Sequence, residues 1–151
     1  MARFETIGMD DLISSLDMMG QTTGELAEKM LFAGAEEIRK AWRKAARLHG
    51  LIDTGEMIDS IGYSRKVKRA QDILSVDIYP MGKSKTTTKD GKHFTRGKPV
   101  RNAEKAFVLH YGSSKLPATH WVDTADDISG PEVENVCREL YEKWLEDNGY
   151  I

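Results

Sequence analysis

LIDTGE, residues 51–56, decides the fold. Two aliphatics before Asp-Thr-Gly is how an aspartic protease of the retroviral type presents its catalytic carboxylate, in an all-β dimer. The surrounding residues argue against that. Upstream, Thr22 and Glu25 stand at capping-box spacing. After them Ala27, Met30, Leu31, Ala35, Ile38, Ala41, Trp42, Ala45 and Leu48 recur by threes and fours. That period predicts a long amphipathic helix of about seven turns. Glu36, Glu37, Arg39, Lys40, Arg43, Lys44 and Arg47 fall mostly off its apolar face, and Gly50 is placed to end it. Leu51 and Ile52 follow too closely to form the strand a protease loop requires. Asp53 and Glu56 have capping-box spacing of their own. Asp53, Gly55 and Glu56 are therefore expected to form a structural joint, with Asp53 opening a short helix over 54–59.

Other catalytic chemistry finds no support in the sequence. His49, His93, His110 and His120 lack the spacing of a metal-ligand set, and Cys137 falls on the apolar stripe of the last predicted helix. GKSKTTTKDGK, residues 82–92, has glycines and lysines but no helix to open, so it is not a phosphate-binding P-loop. The expectation is no catalytic residue, no metal and no cofactor. A single cysteine excludes an intramolecular disulfide, and no apolar run approaches the ~20 residues needed to cross a bilayer. With no apolar signal region at its start, the chain reads as a soluble intracellular product.

The other elements follow from local pattern. Residues 3–7 suggest a short strand, and Asp10 the N-cap of a small helix burying Leu12, Ile13, Leu16 and Met19 before Gly20 stops it. From Ser60, the residues Ile61, Tyr63, Val67, Ile73, Leu74, Val76 and Ile78 favour extended structure, as does AFVLHY over 106–111. Ser129, Pro131 and Glu132 predict the start of the last helix, with Val133, Val136, Cys137, Leu140, Tyr141, Trp144 and Leu145 as its buried face. Residues 81–102 have no hydrophobic period and read as a long mobile basic loop, which in a compact domain points to function or disorder. The sum is a single α+β domain over 1–151: a long central helix, a small helix and a C-terminal helix packed on a three- to four-stranded, mainly antiparallel sheet.

Charge is unevenly spread. Residues 62–105 carry 12 basic and 4 acidic side chains, against 7 and 11 in residues 1–61 and 3 and 9 in residues 106–151. A block this basic between acidic flanks suits a polyanion or an acidic protein surface. Nucleic-acid binding through residues 62–105 is thus one alternative function, although the block has little aromatic interleaving.

FETIGMDDLISSL (4–16), the Ala-rich helix, DTGEMIDSI (53–61) and FVLHYGSSKLPATHWVDTA (107–125) together resemble the Hong Kong 97-type phage tail-component family over nearly the whole chain, residues 81–102 excepted. The chain departs from the family pattern at His110, where the family tends to have Glu, at His120-Trp121, which replace a Pro-Phe pair, and at Asp123, which replaces a basic residue. The resemblance implies a structural virion protein of a tailed phage or prophage, without enzymatic activity or cofactor, made in the host bacterial cytoplasm. It implies a neck or tail-completion component that assembles as a ring, a hexamer rather than a dodecamer. Its neighbours would be a head connector or stopper and a tail terminator or tail tube, with transient DNA contact possible and no membrane. A Gly-Ser-Ser-Lys turn and an unstructured basic arm are poor core material. The expected assembly interface is therefore Lys83, Lys85, Lys89, Lys92, Arg96 and Lys98 on the arm, with Tyr111, Ser113, Lys115, Leu116 and Trp121.

Overall fold

A computed structural model describes residues 9–52, 55–71, 73–84 and 100–151. The predicted strand at 3–7, the cap at Asp53 and the basic arm from 85 to 99 lie outside those residues, as do the side chains of Leu12, Ile13 and Leu16.

The fold is α+β. Helix α1, Met9–Leu48, is a single 40-residue element, about 60 Å long at the usual rise. The expected break at Gly20 does not occur. A lone glycine costs a helix only about 1 kcal/mol, and Thr22 is not a cap. Its hydroxyl donates back to the Met19 carbonyl, and the Thr23 hydroxyl reaches both Met19 and Gly20, so these threonines sit within the helix and bond to its own backbone. The far end stops as the sequence suggested. Gly50 takes φ 68°, its N–H donates to Arg47 and the Leu51 N–H donates to Ala46, which is the Schellman closure.

Helix α2, Glu56–Asp59, turns the chain into a β-ribbon. Strands β1 (Ile61–Tyr63) and β4 (Ile78–Pro80) pair antiparallel, Gly62 facing Tyr79. Strands β2 (Lys68–Ala70) and β3 (Ile73–Ser75) pair beyond them, Arg69 facing Leu74. The Ser64 N–H to Asp77 carbonyl bond joins the two pairs. The expected three- to four-stranded sheet is thus two consecutive two-stranded pairs along one bent ribbon. The fourth expected strand, 106–111, is helix α3, Asn102–Tyr111. A short continuous apolar run carries no period that separates strand from helix. Here the buried residues are Asn102, Ala106 and His110, four apart, which is a helical stripe.

Helix α4, Trp121–Asp147, begins eight residues before its predicted start. Trp121, Ala125 and Ser129 are its buried stripe, so Ser129 sits inside the helix. Its hydroxyl donates to the Asp126 carbonyl, and Pro131 is interior. Helices α1 and α4 run antiparallel. The His49 imidazole meets the Thr124 hydroxyl at 2.8 Å, Val133 packs at Gly34, and the Cys137 thiol approaches the Met30 carbonyl at 3.9 Å. Where this pair meets α2, β1 and α3 lies the core: Ala41, Ala45, Ala46, Met57, Ile58, Ile61, Ala106, Trp121 and Ala125, with Trp42 edge-on to Trp121 at 5.3 Å. Three alanines from α1 let the other elements approach its backbone closely, and the large side chains come from the elements packed on it.

Candidate assembly surface

The residues that bury one face of α3 leave the opposite arc, Ala103, Glu104, Phe107, Val108 and Tyr111, exposed. Three of these five are large and apolar. Phe107 and Tyr111 are 63% and 61% exposed with ring centroids 4.7 Å apart, so they already form a pair. Leu116 in the following turn and Tyr79 on β4 are also exposed. Single exposed apolar residues are ordinary, whereas a contiguous set marks an interaction surface.

The turn after α3 is tightly built. Gly112 has φ 80°; a Cβ there would stand 2.7 Å from the Ala118 nitrogen and 2.9 Å from the Leu116 oxygen. Ser113 and Leu116 exchange backbone hydrogen bonds, and the Thr119 and His120 N–H groups donate to the Leu109 and His110 carbonyls at 3.1 Å. Tyr111, Ser113, Lys115 and Leu116 are exposed along this reversal, as expected. Trp121 is not. It is fully buried, with its indole N–H donating to the Ala106 carbonyl, so it belongs to the core and not to an interface. The strand expected over 106–111 gives Phe107 and Val108 no shared face, whereas the helix exposes both. Their spacing with Ala103, Glu104 and Tyr111 on a helical wheel is the signal that finds them.

The basic arm has an anchored root. Lys83, exposed, pairs across an isolated bridge with Arg101; the Ser84 N–H donates to Val100 and the Asn102 N–H to Gly82. Below that ladder the buried Ser84 hydroxyl donates to the Glu56 carboxylate at 2.7 Å and accepts from Lys105 Nζ at 2.8 Å. Gly55 opens α2 at φ 83° without a side-chain cap. The joint therefore holds the root of the arm as well as turning the chain. Lys85, Lys89, Lys92, Arg96 and Lys98 lie outside the described residues. On the ribbon, Lys68 is ion-paired with Asp77, which raises its pKa, first through the side-chain hydrogen bond and then through the charge. Arg69 lies 4.0 Å from Glu28.

Two further features lie elsewhere. An open groove of about 560 Å³ between α1, the ribbon and α4 is lined mainly by apolar side chains including Met30, Leu31, Leu74, Ile78, Val133 and Cys137. At the joint of α3 and α4 the fold gathers His110, His120 and Asp123. His49 is exposed, and His93 lies outside the described residues.

Among the described residues no helix is long and apolar enough to cross a membrane. Neither the curated proteins nor the solved structures include a match to the chain. One protein-family model does match, over residues 10–95, and its description reads "Bacteriophage HK97-gp10, putative tail-component". That span takes in α1, the joint and the whole β-ribbon, more than half of the chain, so the protein belongs to the HK97-gp10-like family of phage tail components.

Proposed function

We propose that this protein is a structural virion component of a tailed phage or prophage that assembles as a ring at the head–tail junction or tail end, completing the tail and joining it to the head. Membership in a tail-component family supports the phage structural role. The observation that carries the assembly reading is the apolar arc of α3, with Phe107 and Tyr111 paired and exposed beside a rigid turn. A ring closes through heterologous contacts, in which one patch of a subunit meets a different patch of the next. The Phe107–Tyr111 arc extended by Leu116 would be one such patch, and the rooted basic arm, with Lys83 at its base, another point of attachment. The partners are further copies of the chain, six in the ring, with a head connector or stopper on one side and a tail terminator or tube on the other.

The test is a Phe107→Ala/Tyr111→Ala phage examined by electron microscopy of its lysate, with the purified variant assayed for folding. Both side chains are mostly exposed, so the fold is expected to survive. Filled heads beside separate tails, or tails of abnormal form, are the expected result. Normal infectious particles would remove the α3 arc from assembly. Salt-sensitive retention of the purified protein on DNA, with virion assembly unaffected by the variant, would instead favour the basic block as a nucleic-acid surface.

A further inference from the structure

His110 lies in the last turn of α3, while His120 is the N-cap of α4 and Asp123 is in its first turn. Nine residues lie between the two histidines in sequence, yet the backbone makes them neighbours. The His120 N–H donates to the His110 carbonyl at 3.1 Å, and the Asp123 N–H donates to the His120 carbonyl at 3.1 Å. Between them Trp121 is fully buried and fixes the position of both its flanks. His120 takes φ 50° and ψ 33°, left-handed backbone that few non-glycine residues adopt. The imidazole rings lie 5.2 Å apart and nearly perpendicular. His110 Nε2 is 3.9 Å from one Asp123 carboxylate oxygen, and His120 Nδ1 is 3.6 Å from the other. One ligand-type atom from each of the three residues falls within 4.8 Å of the others.

We propose that His110, His120 and Asp123 form a three-ligand site for a divalent transition-metal ion of the zinc type, with water in the fourth position. Bonds of about 2.0–2.1 Å in a tetrahedral site place ligand atoms about 3.3 Å apart. His110 Nε2 and His120 Nδ1 face different oxygens of the Asp123 carboxylate, so the carboxylate must turn to present one oxygen to both rings while the three ligand atoms, within 4.8 Å of one another, close toward that spacing. The side chains that must move are free to do so: His120 and Asp123 are 59% and 68% exposed, while the buried His110 serves as the fixed member. Two imidazoles and one carboxylate suit Zn²⁺, Co²⁺ or Ni²⁺, and not Ca²⁺ or Mg²⁺, which favour oxygen ligands. Two interactions oppose binding and keep it below the affinity of a dedicated structural zinc site. His110 Nδ1 accepts the Val122 N–H at 3.3 Å. Coordination through Nε2 puts the ring proton on Nδ1 and displaces that long bond. The positive end of the α4 dipole also faces the site, and the Asp123 carboxylate offsets it.

The experiment uses the full chain, titrated with Zn²⁺ by calorimetry and with Co²⁺ by visible absorption, with Ca²⁺ and Mg²⁺ as comparison ions. One equivalent of Zn²⁺, a Zn²⁺-dependent rise in melting temperature, and the intense visible bands of tetrahedral Co²⁺ are expected. Asp123→Asn and His120→Asn, both at exposed positions and the second keeping a residue type that tolerates left-handed backbone, should keep the metal-free melting temperature. Each should lower affinity about tenfold or more and abolish the cobalt bands, with His49→Ala unchanged. Absence of stoichiometric binding, or binding that survives both variants, overturns the proposal and leaves the three residues as a capping and ion-pair cluster at the start of α4.

Discussion

Gly112→Ala should destabilise the protein more than any other single methyl addition at the glycines between α3 and the chain end. At φ 80° and ψ −179° the residue occupies backbone that is essentially glycine's alone, and forcing another residue there costs about 1–3 kcal/mol. The added methyl also meets the Ala118 nitrogen at 2.7 Å, the Leu116 oxygen at 2.9 Å and the Ala118 Cα at 3.1 Å. These are backbone atoms held by the Ser113–Leu116 and Thr119–Leu109 hydrogen bonds, so they cannot swing aside as a flexible side chain would. Strain and overlap together amount to about 3 kcal/mol or more. For a chain of this size that corresponds to a fall in melting temperature of about 6–12 °C. Gly24→Ala supplies the opposite sign. A Cβ there meets nothing within 4 Å inside α1, and alanine is better than glycine in a helix by about 0.5–1 kcal/mol. Circular-dichroism melts of the two variants should move in opposite directions. A Gly112→Ala protein melting within about 2 °C of wild type would show that the 112–118 turn relaxes freely, and the account of a rigid platform beside Tyr111 would then be wrong.

Leu116 and Trp121 looked alike in the sequence and should part in urea denaturation: Trp121→Ala should cost about 3–5 kcal/mol, and Leu116→Ser less than about 0.5 kcal/mol. Pro131→Ala should stabilise by about 1–3 kcal/mol, because an interior proline removes a hydrogen bond and crowds the preceding turn of α4; no change would mean that α4 already bends to relieve it. Glu36 has its pKa lowered, chiefly by its hydrogen bond with Arg39. A depressed folded pKa contributes stability that is present above the unfolded value and is lost as pH falls through the folded one. The stability gap between wild type and Glu36→Gln should therefore be small at neutral pH, under about 0.5 kcal/mol, and should shrink as the pH falls below about 4.5. A gap that widens on acidification would contradict the assignment.

The long helix, its glycine stop and the turn after Tyr111 were legible because each depends on local chemistry: a 3.6-residue period, a positive φ, or a cluster of turn-forming residues. The short helix expected over 54–59 begins instead at Glu56, with Gly55 in left-handed backbone before it. What misled was local chemistry overruled by packing. Gly20, Thr22 and Thr23 carry boundary signals, yet α1 continues through them. Ser129-Gly130-Pro131 has the pattern of a helix start, but Trp121 and Ala125 had a core to fill and carry the helix eight residues further back. AFVLHY suits either element, and only the four-residue spacing from Asn102 through Ala106 to His110 separates them. Of the residues expected at an interface, Tyr111, Ser113, Lys115 and Leu116 are exposed and Trp121 is buried, since a tryptophan beside a turn looks the same in sequence whether it points out or in. The His110–His120–Asp123 cluster has no sequence signature, because a chain reversal and not a helical repeat brings its members together.

The core cluster sits entirely at the end of the α1–α4 pair where His49 meets Thr124. Farther along, toward Thr22 and Asp147, the buried apolar residues of α1 reduce to Leu26 and Ala35. The two helices thus form an arm whose free energy of opening is graded along its length. Amide hydrogen exchange should be slowest around Ala45 and Ala46 and quicken steadily toward Thr22 on one strand of the pair and Asp147 on the other. A ring neighbour or tail protein seated in the groove at Met30 and Val133 would flatten that gradient, so protection factors along the arm would report docking at a distance from the core.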